Sequence, residues 1–322
     1  MVMAAPLSGG GAFANKTGEE RTILVEATRR RLLQWTTGLA SSFALGAAAA
    51  KPDERVRESV YNYIIVTLDD SKVSFRRLEN GAEVSAIDIN RPSYQIIPYT
   101  KYLFAAALVN DAPAKALSIG LGAGSFNRLF NLRYPEARLT TVEIDRMILD
   151  LAVEYTAFRQ SANNAVVIDD GRRFLHKSDD RWDWIVIDAF VRNSQYPSHL
   201  ATHEFFTLVA DHLSDGGVLA INVIRGNKLF GCLVATINIV FPNCLVYEVP
   251  DSGNAIVLAA KNAAPPIVRQ LKTALVAQGA LMKDNGVDLS AMRTTGAPPT
   301  HVLCAAPLTD DFAPTEFLGG QP

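Results

Sequence analysis

Two runs rich in β-branched and aromatic residues, Tyr61–Leu68 and Lys72–Leu78, flank the polar triplet Asp69-Asp70-Ser71. The pattern predicts a β-hairpin, with a third strand after Gly81, and so a small antiparallel sheet of roughly 30 residues. The charged stretch from Lys51 to Glu58 ahead of it reads as a linker. Arg91–Asn110 carries helical periodicity interrupted by Pro98, whose missing N–H and fixed φ predict a kink or a late helix start.

From Ala116 onward short apolar runs alternate with amphipathic ones. Ala116–Ile119, Arg138–Glu143, Val166–Asp169, Trp182–Asp188 and Val218–Val223 read as strands. Ser125–Tyr134, Asp145–Phe158, Gly171–His176 and Thr202–Leu213 read as helices between them. Such repetition predicts a parallel sheet covered on both faces, with right-handed crossovers. Leu245–Val249 and Ala255–Ala259, with no long helix between them, are expected as an antiparallel pair at one edge. Beyond Lys261, one helix over about Pro266–Ala277 precedes a Pro- and Gly-bearing tail, and the sequence has no solenoid-type repeat. The chain thus divides into residues 1–50, a linker and small β region over 51–90, an α/β domain over 91–262, and a C-terminal helix and tail over 263–322.

Residues 1–50 follow another pattern. Thr28-Arg29-Arg30-Arg31-Leu32-Leu33 leads into an uncharged stretch from Gln34 to Ala50 that ends in four alanines. A basic start, an apolar middle and a small-residue end are the layout of an export signal, and Arg29 and Arg30 followed by two leucines match its twin-arginine class. Thr36, Thr37, Gly38, Ser41, Ser42 and Gly46 dilute the apolar stretch, whereas a bilayer-spanning helix needs about 20 strongly apolar residues. The expectation is cleavage after the alanines, a periplasmic or otherwise exported chain, and no lasting membrane span. A surface amphipathic helix is the plainer alternative.

Composition narrows the classes further. The 322 residues are 48% hydrophobic and 20% charged, proportions that exclude disorder and fibrous repeats. Lys+Arg number 31 against 33 Asp+Glu, and the formal net charge of −2 leaves no global basic field for a nucleic acid partner. Cys232, Cys244 and Cys304 are odd in number and lack Cys-x-x-Cys spacing, so neither zinc nor a disulfide framework is indicated. Buried thiols are expected, with one Cys232–Cys244 bridge as the alternative in an oxidising compartment.

In an open α/β sheet, ligands bind outside the carboxyl ends of the strands, and four such ends here carry glycines or acids. Gly120-Leu121-Gly122-Ala123-Gly124-Ser125 follows the first strand and opens a helix. Glycines admit a close backbone approach and a helix start supplies free N–H donors, although a plain strand-to-helix turn would look the same. Glu143 ends the second strand, where a carboxylate can accept both hydroxyl protons of a ribose, and Asp145 suits an N-cap. Asp169-Asp170-Gly171 ends the third, with one acid available for an adenine amino group and the other for a helix cap. Asp188 leaves the fourth strand into a loop, poised to meet a substrate. A nicotinamide-binding turn is disfavoured, because Ser125 stands where Gly-x-Gly-x-x-Gly needs its last glycine.

These strand ends, together with the front hairpin, resemble the spermidine synthase family, the polyamine aminopropyltransferases, and more broadly class I S-adenosylmethionine-dependent methyltransferases. Three stretches look like the family's bacterial branch: Ile119–Ser125; Asp188-Ala189-Phe190 with Pro197–Phe206; and Leu308–Glu316. The resemblance implies a class I methyltransferase-like, Rossmann-like α/β fold, with a mostly parallel seven-stranded sheet preceded by the small antiparallel hairpin region. It implies decarboxylated S-adenosylmethionine or S-adenosylmethionine as co-substrate, held by Gly120, Gly122, Gly124, Glu143, Asp170 and Gly171. Glu143 would grip the ribose and Asp170 face the adenine. Asp188 matches the acid that takes a proton from the attacking amine. Tyr94, Gln95 and Tyr99 fall where the family places gate and substrate contacts, and helix packing explains them equally well. The implied partner is a small-molecule amine, with no nucleic acid, and a homodimer is compatible.

No metal is implied, since His199 and His203 lack a third ligand and read as loop and helix-start residues. Arg225 and Lys228 either meet an anionic ligand or stay solvated. Two positions depart from the family, which carries an acid where this chain has Ala123 and another where it has Val191. Without them a diamine loses charge-assisted hydrogen bonds of about 1.5–3 kcal/mol each, which disfavours putrescine. Methyl transfer is the alternative reaction, and an exported binding protein that keeps the fold without the reaction is the alternative class.

Overall fold

The computed structural model describes residues 52–261, apart from 79–80, 92–93, 191–195, 227 and 243, together with 283, 293–294 and 306–315. The expected export segment, the helix over 266–277, Val191 and Cys304 lie outside the described residues.

The front sheet is antiparallel throughout, in the order β1 (Asp53–Glu58), β2 (Tyr63–Asp69), β3 (Lys72–Arg77) and β4 (Glu83–Asp88). The hairpin is β2–β3, closed at Asp70, whose φ of 48° lies in the left-handed region that Asp tolerates better than most side chains. Strand β1 replaces the expected linker. Its charges mark an edge strand with nearly every side chain in water, and it is held by backbone pairing to β2 from Asp53↔Leu68 to Glu58↔Tyr63. Helix α1 (Pro98–Tyr102) begins at the proline and runs into a 3-10 segment over Leu103–Leu108. The proline therefore acts as a start, where its missing N–H costs nothing.

The main sheet contains β5 (Lys115–Ile119), β6 (Arg138–Glu143), β7 (Asn164–Ile168), β8 (Trp182–Ile187), β9 (Leu213–Ile224), β10 (Leu245–Glu248) and β11 (Asn254–Ala260). Their order is β10-β11-β9-β8-β5-β6-β7, and the two-residue β12 (Arg293–Thr294) extends the β10 edge. Strands β7-β6-β5-β8-β9 are parallel neighbours, while β11 and β10 run antiparallel. The chain leaves β5 toward β6 and β7, then crosses back to β8, so the switch in strand order falls at β5.

Helices α2 (Ser125–Arg133), α3 (Arg146–Tyr155), α4 (Gly171–Lys177) and α5 (His203–His212) occupy the expected crossovers. A further helix, α6 (Lys228–Val240), is absent from the sequence expectation. It is apolar around most of its circumference and shows no helical period, because it buries Leu229, Leu233, Val234 and Ile237 in one core with Phe205, Phe206 and Val209 of α5. The opposite face of the sheet packs Trp184 against Phe104, Phe130 and Tyr134. A third core joins Ile64, Val66, Val73 and Phe75 of the front sheet to Ile148, Leu151 and Ala152 of α3. Among the described residues, no helix is long and apolar enough to cross a membrane.

Candidate active site

The turn after β5 is fixed by its surroundings. Gly120 has φ +103°, and a Cβ there would lie 2.3 Å from the Asp188 carbonyl oxygen. Only glycine lets the turn lie against the end of β8. On its other side the Leu121 N–H donates to Glu143 Oε2 at 2.9 Å, while the Asp145 N–H donates to Oε1 at 2.9 Å. One turn therefore touches the backbone of Asp188 and holds the carboxylate of Glu143.

Around this turn opens a cavity of about 540 Å³, whose wall includes Gly120, Gly122, Glu143, Asp170, Gly171 and Asp188. Tyr99 lines it as well. Three of the predicted residues stand elsewhere. Gly124 is the left-handed N-cap of α2, packed against Phe158, and not a cavity residue. Tyr94 is exposed beneath the Arg91 guanidinium, and Gln95 is buried away from the cavity wall. Both precede the proline-initiated helix that carries Tyr99, so neither shares that residue's place on the wall, which the resemblance implied.

The carboxylates differ in environment. Burial pushes Glu143 up to about 7, against the backbone donors that favour its anion. Burial likewise pushes Asp188 up to about 6, opposed by hydrogen bonds from Asn222 and Tyr99. For Asp170 burial acts upward too, but hydrogen bonds with His199 and the Arg173 N–H outweigh it and hold the group below the usual carboxylate range. Asp170 Oδ1 caps α4 through that N–H at 2.9 Å, and Oδ2 lies 2.6 Å from His199 Nε2. Asp169, the other acid at this strand end, also lines the cavity, with its carboxylate paired to Arg173 and Lys177 of α4.

Asp145 caps α3, accepting the Met147 N–H at 3.0 Å on Oδ1. Its Oδ2 accepts from Ser59 Oγ at 2.5 Å and Asn62 Nδ2 at 2.8 Å, which fastens the β1–β2 turn to the loop carrying Glu143. Asn62 and Ser85 of the front sheet line the cavity, and Ser85 Oγ accepts the Ala123 N–H at 2.8 Å. The Ala123 side chain is fully buried, away from the cavity. From the C-terminal segment, Thr315 reaches the wall. That segment is clamped by Arg172, which donates to both oxygens of Asp310 at 2.7 and 2.6 Å. Asn62, Ser85, Asn222, Asn254 and Thr315 were not anticipated. Of these only Asn222, a lone amide inside the apolar Val218–Val223 strand, carried a visible signal.

Thr202 caps α5 and His203 opens it. Arg225 pairs with Glu248, and Lys228 is exposed at the start of α6. Cys232 and Cys244 are free thiols, Cys244 being buried and pushed up to about 12.

Fold and cavity define a Rossmann-like α/β protein with the strand order of class I methyltransferases. A family profile described as "Spermine/spermidine synthase domain" matches residues 97–230. A polyamine aminopropyltransferase of Vibrio vulnificus is 31% identical over 235 residues, covering 70% of this chain and 77% of that protein. A probable polyamine aminopropyl transferase of Bifidobacterium longum is 32% identical over 281 residues, 81% of this chain, and the chain spans 61% of that relative's length. The crystal structure of a probable spermidine synthase from Corynebacterium glutamicum superposes with a TM-score of 0.66 at 20% identity, over 81% of this chain and 97% of that one. The chain belongs to the spermidine synthase family.

Proposed function

We propose that this protein is an aminopropyltransferase that takes decarboxylated S-adenosylmethionine as donor and a small amine as acceptor. The observation that carries it is the single turn, Gly120–Leu121, which joins two carboxylates of opposite task at one cavity. The backbone N–H groups of Leu121 and Asp145 each hold one Glu143 oxygen, with that of Ile144 beside them, which fixes the carboxylate where it would accept from the ribose. Asp170, at the neighbouring strand end, faces the adenine side.

Asp188 is the proton acceptor. The acceptor nitrogen must be uncharged to attack the propyl carbon next to the sulfonium. As the new C–N bond forms, the C–S bond breaks and methylthioadenosine leaves, while the proton passes to Asp188. A carboxylate at about 6 is a stronger base than an ordinary one and remains ionised at neutral pH. Holding amine and sulfonium together supplies much of the remaining acceleration. Ala123 offers no carboxylate to the cavity, so the acceptor is bound without the charge pairing that a diamine's far ammonium finds in other members.

We further propose export through the twin-arginine segment at Arg29 and Arg30, a homodimer in solution, and no nucleic acid partner. Retained export after both arginines are changed to Lys would count against the first. The donor is tested by calorimetry with methylthioadenosine, S-adenosylmethionine and its decarboxylated form, and the acceptor by a product assay over mono-, di- and triamines. Tight nucleoside binding with an alkylated amine, lost in Asp188→Asn, is the expected result. Methylated product from S-adenosylmethionine would replace aminopropyl by methyl transfer. Binding without any product would leave the non-catalytic alternative.

A further inference from the structure

Behind Asp188 the cavity wall carries side-chain hydrogen bonds that all point one way. Asn222 on β9 donates from Nδ2 to Asp188 Oδ1 at 2.8 Å. Asn254, the first residue of β11, donates from Nδ2 to Asn222 Oδ1 at 2.9 Å, and Ser252 donates from Oγ to Asn254 Oδ1 at 2.7 Å. Ser252 Oγ in turn accepts the Asn254 backbone N–H at 3.1 Å, so the run ends on a group that both donates and accepts.

Strand register brings these residues together. In the β9–β11 ladder Asn222 pairs with Ile256 and Asn254 with Ile224, which makes the two asparagines diagonal neighbours on one face. Asn222 is 1% exposed in the otherwise apolar second half of β9, and Asn222, Gly253 and Asn254 all line the cavity. The turn at Ser252 and Gly253 is pinned by Arg225, whose Nη2 donates to Ser252 O at 2.9 Å and whose backbone N–H donates to Gly253 O at 2.7 Å.

An amide has a donor end and an acceptor end. Turned over, Asn222 would set its carbonyl oxygen against the Asp188 carboxylate. The Asn254 amide removes that choice by engaging Asn222 Oδ1, and Ser252 Oγ anchors the other end of the Asn254 amide to the turn. We propose that Asn222 and Asn254 are positioning residues: Asn254, locked by Ser252, aims the Asn222 amide, which holds Asp188 Oδ1 so that the other carboxylate lone pairs face the acceptor amine. The catalytic consequence rests on the aminopropyl-transfer reading above.

Three other groups bear on Asp188. The Tyr99 hydroxyl, which donates to the Val84 carbonyl at 3.2 Å, also bears on the carboxylate, Tyr196 lies within electrostatic reach, and Arg77 of β3 acts on Tyr99. None of these belongs to the Asn222–Asn254–Ser252 run. Loss of the Asn222 donor disfavours the anion and moves Asp188 upward.

The test uses Asn254→Ala and Ser252→Ala, both at the turn, because Asn222→Ala opens a buried strand. Carboxyl NMR follows the titration of Asp188, and kcat/KM is measured against pH. In both variants the Asp188 midpoint and the acid limb are expected to rise together by roughly half to one unit, up to about tenfold in rate below the limb. Methylthioadenosine affinity and the amine KM stay at wild-type values, the rate recovers at high pH, and Ser252→Thr, which keeps the hydroxyl, behaves as wild type. An unmoved Asp188 midpoint in Asn254→Ala, or a uniform loss of rate at every pH, overturns the proposal. If the wild type alkylates no amine, the functional reading fails by itself, while the carboxyl titration still decides the hydrogen-bond run.

Discussion

On the proposed reading, Glu143 would meet the ribose as an anion. Hydroxyl donors favour the ionised carboxylate, yet in the free protein burial keeps this group at about 7. Nucleoside binding would therefore draw its pKa down and release a proton. Affinity is expected to rise with pH up to about 7 and to level off above it, measured by calorimetry from pH 5.5 to 8 in two buffers of different protonation enthalpy. A flat profile with no proton release would mean that the ribose does not sit on Glu143. Removing the carboxylate in Glu143→Ala should weaken methylthioadenosine binding about 100-fold, two charged hydrogen bonds of about 1.5 kcal/mol each being lost. Gly120→Ala acts differently, because its Cβ collides with the Asp188 backbone. Nucleoside affinity and thermal stability should fall together, with about 1–3 kcal/mol of strain in the urea-denaturation free energy.

At the scale of elements, the C-terminal segment is tied to α4, to the start of α5 and to α6. Arg172 on α4 grips Asp310, whose carboxyl is held down at about 2 chiefly by that hydrogen bond. The contribution is present above the unfolded carboxylate range near pH 4 and fades as pH falls toward 2. Arg172→Ala should free the segment at neutral pH, read as faster amide exchange at Leu308 and Thr309 with no change in β5–β8. Unchanged exchange there would show that the remaining bonds suffice: Leu308 with Thr236 Oγ1 and the His203 N–H, and Asp310 with Thr202 Oγ1 and Glu204. The elements also mark how far the sequence could be read. Strands β5, β6, β8 and β11 and the cap at Asp145 were legible because local period and strand-end chemistry set them. Helix α6 was not, since burial on most sides erases the period, and β1 was not, since an edge strand can be wholly charged. The site followed the same rule: Glu143 and Asp188 stand at strand ends, whereas Asn62, Asn254 and Thr315 arrive through tertiary contacts that no local spacing encodes.

For the whole molecule, the two raised carboxyls tilt stability against function. Glu143 at about 7 and Asp188 at about 6 hold protons that an unfolded chain gives up near pH 4. Both therefore favour the folded state below pH 4, and that advantage shrinks as pH rises to 6 for Asp188 and 7 for Glu143. Compared with Asp188→Asn, the wild type is expected to lose up to about 3 kcal/mol of unfolding free energy between pH 4 and pH 7, measured by urea melts. Parallel pH profiles would show that the buried carboxyl titrates as it does in water.

The fastening of Ser59 and Asn62 to Asp145 gives the front sheet a second meaning. Floor and roof of the chamber come from separate sheets, so its shape exists only where the two have met. On the proposed reading, an adenosine seated between them would act as a rivet, and its arrival would be recorded in the hairpin's resistance to lifting away.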